Sequence, residues 1–283
     1  MSIEVKNLTH INSEGLPHES VAVEDVTFTV DDGQIAGIIG HTGSGKSTLV
    51  QHLNGLVKAK SGTVTINGQT ISDDKSLMRD IRRKVGLVFQ YPEYQLFEET
   101  VEKDIAFGPK NMGITGEELE LRVKEAIELV GLDYEEVKEK PPFDLSGGQK
   151  RRVAIAGVIA MKPEVLVLDE PTAGLDPKAH REVLKMIKNI HEHENNITVM
   201  ISHNMEDIAR MCDKVIVMDK GRCVMEGTPA DVFAQAKALE KMGLSVPPAA
   251  AFAAQLKERG FLIDGNPLDR DALVDEIIKT IRG

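Results

Sequence analysis

Cysteine, tryptophan and long apolar runs are the scarcest features of this sequence. It has 2 cysteines and no tryptophan. Cys212 and Cys223 do not form a C-x-x-C motif, so we expect neither a disulfide framework nor a cysteine zinc site. The most apolar run, residues 153–161, has about half of the length that a membrane-spanning helix needs. The first six residues lack the basic and then apolar layout of a signal peptide. We therefore expect no segment that crosses a membrane.

Aromatic residues and positive charge are also in short supply. Aromatics make up 4% of the chain, and 34 Lys and Arg against 45 Asp and Glu leave a net charge of −11. An acidic chain with few rings for base stacking is a poor polyanion binder, so we expect no nucleic-acid partner. A local site for one phosphorylated ligand remains compatible with this charge. The apolar fraction of 41% and charged fraction of 28% are those of a globular protein.

The hydrophobic pattern predicts two kinds of β-structure. Val26, Phe28 and Val30 alternate with polar residues, which indicates half-buried antiparallel strands within residues 1–35. The stretch 63–68 repeats this pattern and ends on the hairpin dipeptide Asn-Gly. Short continuous apolar runs at 35–39, 85–89, 165–168 and 197–201 are typical of strands buried on both faces of a parallel sheet. Helical segments separate these runs, including 117–130, 228–239 and 272–281. With 283 residues, we expect one large α/β domain with additions.

A glycine-rich loop follows the first apolar run. It fits G-x-x-x-x-G-K-[ST] and consists of Gly40, His41, Thr42, Gly43, Ser44, Gly45, Lys46, Ser47 and Thr48. Such a loop between a buried strand and a helix turns backbone N–H groups towards phosphate oxygens, and the helix terminus adds a positive dipole end. Lys46 is expected to bridge the β- and γ-phosphates, and the Ser47 hydroxyl to ligate Mg²⁺. The motif therefore predicts ATP and Mg²⁺ as ligands.

The third apolar run ends in two acids, Asp169 and Glu170. At the carboxyl end of a strand beside a phosphate loop, Asp169 is placed to hold Mg²⁺ through water. Glu170 is placed to polarise the attacking water as a general base.

The pentapeptide Leu145, Ser146, Gly147, Gly148 and Gln149 resembles the signature of the ATP-binding-cassette (ABC) ATPases. The resemblance covers roughly residues 2–228 and extends to Gln90, Asp176 and His203, which occur in family order. It implies that the signature faces the nucleotide held by an opposite subunit and that Asp176 belongs to the nucleotide site. It also implies that Gln90 reaches the metal and the lytic water, and that His203 contacts the γ-phosphate.

A longer stretch, residues 89–109, is similar to the ATPase subunits of energy-coupling-factor importers of vitamins or transition-metal ions. The insert at 13–19 is similar to the second of the two paired ATPases in that group. The resemblance implies a second ABC ATPase subunit, with a heterodimer favoured over a homodimer. It also implies a transmembrane coupling subunit that docks near 90–102, an indirect link to a substrate-binding membrane subunit, and a peripheral location on the cytoplasmic face of the cell membrane. We expect Glu93, Glu98, Glu99 and Glu102 to receive a basic partner helix.

One position departs from the ABC pattern. The aromatic residue that stacks on adenine is replaced by Asn12, and His10 or an aliphatic residue such as Val23 could substitute for it.

The expected fold is an α/β ABC cassette (residues 1–228) with a mostly parallel core sheet, an antiparallel β subdomain and a helical subdomain over about 91–160. Residues 229–283 are expected to form a helical extension that pairs the subunits. Three alternatives remain open: a soluble ABC ATPase of repair or translation, the nucleotide-binding subunit of another ABC importer, and a P-loop small-molecule kinase.

Overall fold

The fold was obtained as a computed structural model that describes residues 1–13, 15–17 and 19–282, without the side chains of residues 281 and 282. Glu14 and His18 of the expected insert at 13–19 lie outside the described residues. The strands are β1 (Ser2–Asn12), β2 (Ser20–Asp31), β3 (Ile35–Ile39), β4 (Ser61–Ile66), β5 (Gln69–Thr70), β6 (Val85–Val88), β7 (Val165–Asp169), β8 (Ile197–Ile201), β9 (Lys214–Asp219) and β10 (Arg222–Gly227).

The helices of the described residues all follow β3. They are α1 (Lys46–Leu53), α2 (Lys75–Lys84), α3 (Val101–Asn111), α4 (Glu117–Leu129), α5 (Tyr134–Val137), α6 (Gly147–Ile159), α7 (Pro177–Glu194), α8 (Met205–Met211), α9 (Pro229–Phe233), α10 (Ala236–Lys241), α11 (Pro248–Glu258) and α12 (Arg270–Arg282). Two 3₁₀ helices cover Pro92–Gln95 and Pro142–Asp144. Across the described residues, no helix is long and apolar enough to span a membrane.

Two sheets form the frame. The first is antiparallel with the order β2-β1-β4-β5, and the second has the order β10-β9-β3-β8-β7-β6. In the second sheet β9, β3, β8, β7 and β6 are parallel, and β10 pairs antiparallel to β9 at the edge. The expected fold class is thus confirmed. Asn67 takes a left-handed conformation (φ 49°) at the Asn-Gly turn between β4 and β5, as the dipeptide predicts.

The parallel sheet is buried on both faces. In β7, Val167 packs with Phe28 of the antiparallel sheet and Leu49 of α1. Its neighbour Leu166 packs on the other face with residues of α6 and α7, among them Val153. Because successive side chains of a strand point to opposite faces, a continuous apolar run is what this position requires.

The C-terminal region differs from the sequence expectation at one helix. The predicted helix over 228–239 is two short helices, α9 and α10, with an irregular Gln235 (φ −92°, ψ 41°) between them. Phe233 and Leu239 are both buried, and a continuous helix would turn them about 120° apart. The break allows both side chains to reach the core.

Candidate active site

Four predicted segments meet at one edge of the parallel sheet. The phosphate loop follows β3, Gln90 follows β6, Glu170 follows β7 and His203 follows β8. Since β3, β8, β7 and β6 are parallel neighbours, their carboxyl ends and the loops after them lie side by side, where α/β sheets bind ligands.

The phosphate loop is formed by close backbone contacts. A Cβ added at Gly45 would lie 2.3 Å from the carbonyl oxygen of Ala22, whereas one at Gly43 would meet open space. Helix α1 begins after Gly45 without a side-chain cap, so no side chain occupies its first N–H groups. The buried Ser44 Oγ also has no protein partner. A buried hydroxyl and uncapped helix N–H groups are suited to a phosphate group.

Lys46 lies at the centre of the loop. Its ammonium is buried and donates to the carbonyl oxygens of Gly40 and His41 at 2.7 and 2.9 Å. Burial lowers the pKa of Lys46, and the charges of Glu170 and Asp169 oppose this effect. The lysine is thus held by its own loop beside the two acids.

Asp169 and Ser47 provide oxygen atoms at the expected metal position. Asp169 is 8% exposed; burial raises its pKa, while a hydrogen bond from Ser47 lowers it. A carboxylate and a hydroxyl are the donors that Mg²⁺ takes at phosphate sites, where it keeps several waters and phosphate oxygens as ligands. The donor set therefore fits Mg²⁺ bound together with a nucleotide. Within the described residues there is no group of three or more His, Cys, Asp or Glu that could hold a metal by itself.

Glu170 is contacted by both other predicted catalytic residues. His203 Nε2 lies 2.7 Å from Oε1, and Gln90 Nε2 donates to Oε2 at 3.2 Å. Glu170 has φ 51° immediately before Pro171, a sparsely populated conformation that often marks functional sites. These contacts aim the carboxylate at the edge where the phosphate loop ends.

The remaining loop residues hold the motif in place. His41 Nε2 lies 3.0 Å from Asp219 Oδ1 at the end of β9, and its Nδ1 lies 2.7 Å from the Thr42 carbonyl oxygen. The Thr48 carbonyl oxygen lies 2.7 Å from Nδ1 of the buried His52.

The signature segment makes its hydrogen bonds locally, at the start of its own helix. Ser146 and Gln149 form a capping box at the start of α6, in which Ser146 Oγ accepts from the Gln149 N–H at 3.3 Å. In the described part of the chain, no hydrogen bond or ion pair joins residues 145–149 to the phosphate loop. Asp176 caps α7 by accepting from Lys178 and Ala179, and these bonds lower its pKa. Leu145 is buried, and a Cβ added at Gly148 would meet no other atom within 4 Å.

Arg151, the middle residue of the basic triplet 150–152 that follows the signature, is buried. It is 2% exposed, and its guanidinium makes two bonds to the Glu93 carboxylate, at 3.0 and 2.8 Å. It also donates to the carbonyl oxygens of Pro171 and Ala173, at 3.2 and 2.8 Å. Its neighbour Arg152 bonds Glu182 and the Val130 carbonyl oxygen. The basic triplet gave no local signal of this burial.

The acidic surface expected at 93–102 is mostly occupied by contacts within the chain. Glu93 binds Arg151, Glu99 lies 2.6 Å from Lys103, and Glu102 accepts from the Tyr134 hydroxyl at 2.8 Å. Desolvation, followed by this hydrogen bond, raises the pKa of Tyr134 to about 12. Glu93 is therefore not free to receive a basic partner helix, and the expectation for the other three acids stays a prediction.

Exposed aromatic side chains cover this surface instead. Tyr94 is 84% exposed and Phe97 57%, and the Phe97 ring lies edge-on to the exposed Phe107 at 4.9 Å. Phe97 and Phe107 border a cleft of about 1030 Å³ between α2, α3, α6 and β4. The clustering of five of the chain's aromatics within 89–107 was visible in the sequence. An exposed apolar patch of this kind marks an interaction site.

The structure excludes one of the residues considered for contact with adenine. Val23 is fully buried and offers adenine no surface, so that alternative is wrong. His10 lies 2.9 Å from the Lys58 carbonyl oxygen and packs edge-on against His52. Asn12 is exposed, and the exposed apolar residue on β2 is Val21.

Comparisons with known proteins agree with this geometry. The ABC transporter family matches residues 23–173. A relative from Caldanaerobacter subterraneus, "Energy-coupling factor transporter ATP-binding protein EcfA2", is 55% identical over 100% of this chain and 99% of its own. The relative of that name from Clostridioides difficile is 54% identical over 100% of this chain and 99% of its own.

A solved structure is similar along most of the fold. It is cbiO1 from Clostridium perfringens, described as part of the ABC transporter complex cbiONQ, with a TM-score of 0.75 and 36% identity over 85% of this chain and 94% of that one. The family match and these full-length relatives lead to one assignment. The chain belongs to the ABC transporter ATPases, in the group of energy-coupling factor transporter ATP-binding proteins.

Proposed function

We propose that this chain hydrolyses ATP for an energy-coupling factor importer of vitamins or transition-metal ions, with Glu170 as the general base. The observation that carries the proposal is the pair of contacts to Glu170 from Gln90 and His203, beside Lys46. The test is to purify the chain with its membrane subunits and measure uptake of radiolabelled solute into vesicles. We expect uptake with ATP and none with a non-hydrolysable analogue. Uptake that continues without hydrolysis would contradict the proposal.

The proposed reaction is in-line attack of a water on the γ-phosphate of ATP, in which the bond to the bridging oxygen breaks and ADP leaves. Glu170 accepts the proton of that water, while His203 holds the carboxylate and Gln90 orients the water. Lys46 and the first N–H groups of α1 stabilise the charge that develops on the phosphate oxygens. Ser47, Asp169 and Gln90 would hold Mg²⁺, which would supply positive charge to neutralise the phosphates. The rest of residues 40–48 cradle the phosphates.

The active unit is proposed to be a pair of ABC ATPases, and a heterodimer fits better than a homodimer. Residues 145–149 and Asp176 of each chain would serve the nucleotide of the other. The bonding pattern supports this arrangement, because among the described residues neither 145–149 nor Asp176 makes a hydrogen bond to the chain's own phosphate loop. Residues 1–228 would form the cassette, with the helical subdomain at about 91–160, and residues 229–283 the pairing extension.

The extension has a surface suited to pairing. A small core of Ala253, Ile263 and Leu273 joins α11 and α12. Phe261 and Leu262 lie outside it and are 49% and 81% exposed. Apolar side chains that the extension does not need for its own core are available to a partner subunit.

Leu262→Asp is expected to weaken pairing without unfolding the chain. A charge at an exposed position costs little in the single chain, but a buried unpaired charge in an interface costs about 2 kcal/mol or more. Sedimentation velocity of the two mixed ATPases should show an increase of at least about tenfold in dissociation constant. Leu121→Asp on α4, where Leu121 is 55% exposed, is the matched control. Equal weakening by both variants would contradict the assignment.

The aromatic cleft is the proposed docking site of the transmembrane coupling subunit. It adjoins the segment 90–102, and its wall combines Phe97 and Phe107 with basic residues of α2 such as Arg79. Docking there would hold the chain at the cytoplasmic face of the membrane as a peripheral subunit. The substrate-binding membrane subunit would be reached only through the coupling subunit.

Phe97→Ser is expected to abolish recovery of the membrane subunits with the ATPase. Exposed aromatic anchors carry about 2 kcal/mol or more of binding in interfaces, so recovery should fall by at least about tenfold. ATP binding by the isolated chain should not change. Pull-down from solubilised membranes measures the effect, with Leu121→Ser as the matched control. Full recovery with Phe97→Ser would show that docking occurs elsewhere.

A further inference from the structure

We propose that Arg151 is a positioning residue that makes the segment after Gln90, the signature helix α6 and the loop after Glu170 move as one unit. The inference rests on the proposed function, because it assigns the link between the hydrolytic site and the docking surface. We call this set of contacts the Arg151 link: Arg151 with Glu93, Pro171 and Ala173.

The Arg151 link joins three segments that are distant in sequence. Glu93 lies 58 residues before Arg151, in the 3₁₀ helix after Gln90 that also carries the exposed Tyr94. Pro171 and Ala173 follow Glu170 and precede α7. Arg151 is in the second turn of α6, just after the signature. One side chain therefore contacts the docking segment, the general-base loop and the signature helix.

The geometry of these bonds is rigid. Two parallel N–H···O bonds between a guanidinium and a carboxylate fix both distance and angle. Nη1 is occupied by the two carbonyl oxygens, while Nε and Nη2 bind Glu93. The backbone of Tyr91 is left-handed (φ 56°). Its ring lies over the guanidinium, with the Arg151 Cζ atom 5.9 Å from the ring centroid. Lys could not make this set of bonds, because an ammonium has neither the planar fork nor the reach.

Burial separates the link from the docking surface itself. Arg151 is 2% exposed and the Glu93 side chain 18%, whereas Tyr94, one residue further on, is 84% exposed. Arg151 therefore cannot contact a membrane partner directly. A force on the exposed aromatics reaches α6 and the loop after Glu170 through Glu93 and Arg151.

The chain offers a matched control one residue away. Arg152 on α6 binds Glu182 at 3.0 Å, in a more exposed ion pair that reaches α7 and not the docking segment. Glu182→Gln removes an ion pair from the same turn of α6 and leaves the Arg151 link unchanged. Glu93→Gln preserves shape and removes the charge that the guanidinium fork binds.

The test compares Glu93→Gln, Arg151→Lys, the double variant and Glu182→Gln by hydrogen exchange of the full chain. Glu93→Gln should speed exchange of backbone amides at 92–99 by about tenfold, since local opening loses a charge-assisted pair. Arg151→Lys should do so at 92–99 and also at 170–175. The double variant should match Arg151→Lys alone, because both changes break one link. Glu182→Gln should leave both segments at the wild-type rate.

The second readout uses the assembled importer. With Glu93→Gln, KM for ATP and kcat should stay within about twofold of wild type, but the number of ATP molecules hydrolysed per solute imported should rise several-fold, as expected for a lost coupling contact. Wild-type exchange at 92–99 in Glu93→Gln, an unchanged ratio, or an equal effect of Glu182→Gln would overturn the inference. Failure of the wild-type complex to import would instead count against the proposed function, while the exchange data would still decide whether the link exists.

Discussion

Glu170→Gln is expected to lower kcat for ATP hydrolysis by about 10²–10⁴-fold, the range for loss of a general base. Gln keeps the shape of the side chain and can still meet Gln90 and His203, but its amide cannot accept a proton from water. ATP binding should be retained, because Lys46 and the N–H groups of the phosphate loop are unchanged. Phosphate release in the paired ATPases and nucleotide binding by fluorescence measure the two effects separately.

Two variants bracket this result. Glu192→Gln, in an exposed i,i+4 pair on α7, should hydrolyse ATP at the wild-type rate. Lys46→Ala should instead weaken nucleotide binding, since it removes the buried ammonium from the centre of the loop. Near-normal turnover by Glu170→Gln would show that another group takes the proton.

Gly147→Asp is expected to abolish hydrolysis by the paired ATPases while it leaves the single chain as stable as before, or more so. A Cβ at Gly147 meets open space, and an acidic residue at the first position of α6 is favoured by the helix dipole, by about 0.3–1 kcal/mol. The chain's own fold therefore gives no reason for glycine here. If the opposite subunit's γ-phosphate lies against this helix end, the new carboxylate repels it.

The expected loss of turnover is at least about 10²-fold, the effect of losing one oxyanion donor. Thermal unfolding, ATP affinity of the monomer and turnover of the pair distinguish the possible outcomes. Gly147→Ala, which adds a methyl group without charge, is the matched control and should retain more turnover than the Asp variant. Loss of ATP affinity in a demonstrably monomeric Gly147→Asp sample would contradict a composite site.

The chemistry of the site was readable in the sequence because it depends on local patterns. A phosphate-binding glycine-rich loop lies between a strand and a helix. The strand, the loop and the helix each have a recognisable sequence pattern, namely an apolar run, spaced glycines and a 3.6-residue period. The buried runs of β3, β6, β7 and β8 were predicted for the same reason, as was the left-handed turn at Asn67. Lys46, Gln90, Asp169 and His203 each stand at or just after the end of one of these strands. Because the strands are parallel, the four residues come to one edge of the sheet.

The tertiary structure alone decided which charged and apolar side chains are covered. Arg151 stands between two other basic residues, and the folded chain buries it against Glu93 and two carbonyl groups. Val23 was a candidate for adenine contact, but its side chain on β2 is buried in the core. Helices α9 and α10 separate so that two side chains reach the core. Periodicity reports the conformation of a segment and which of its faces is apolar. Burial of a particular side chain depends instead on residues far away in the sequence, such as Glu93, 58 positions from Arg151, and only the packed fold brings these together.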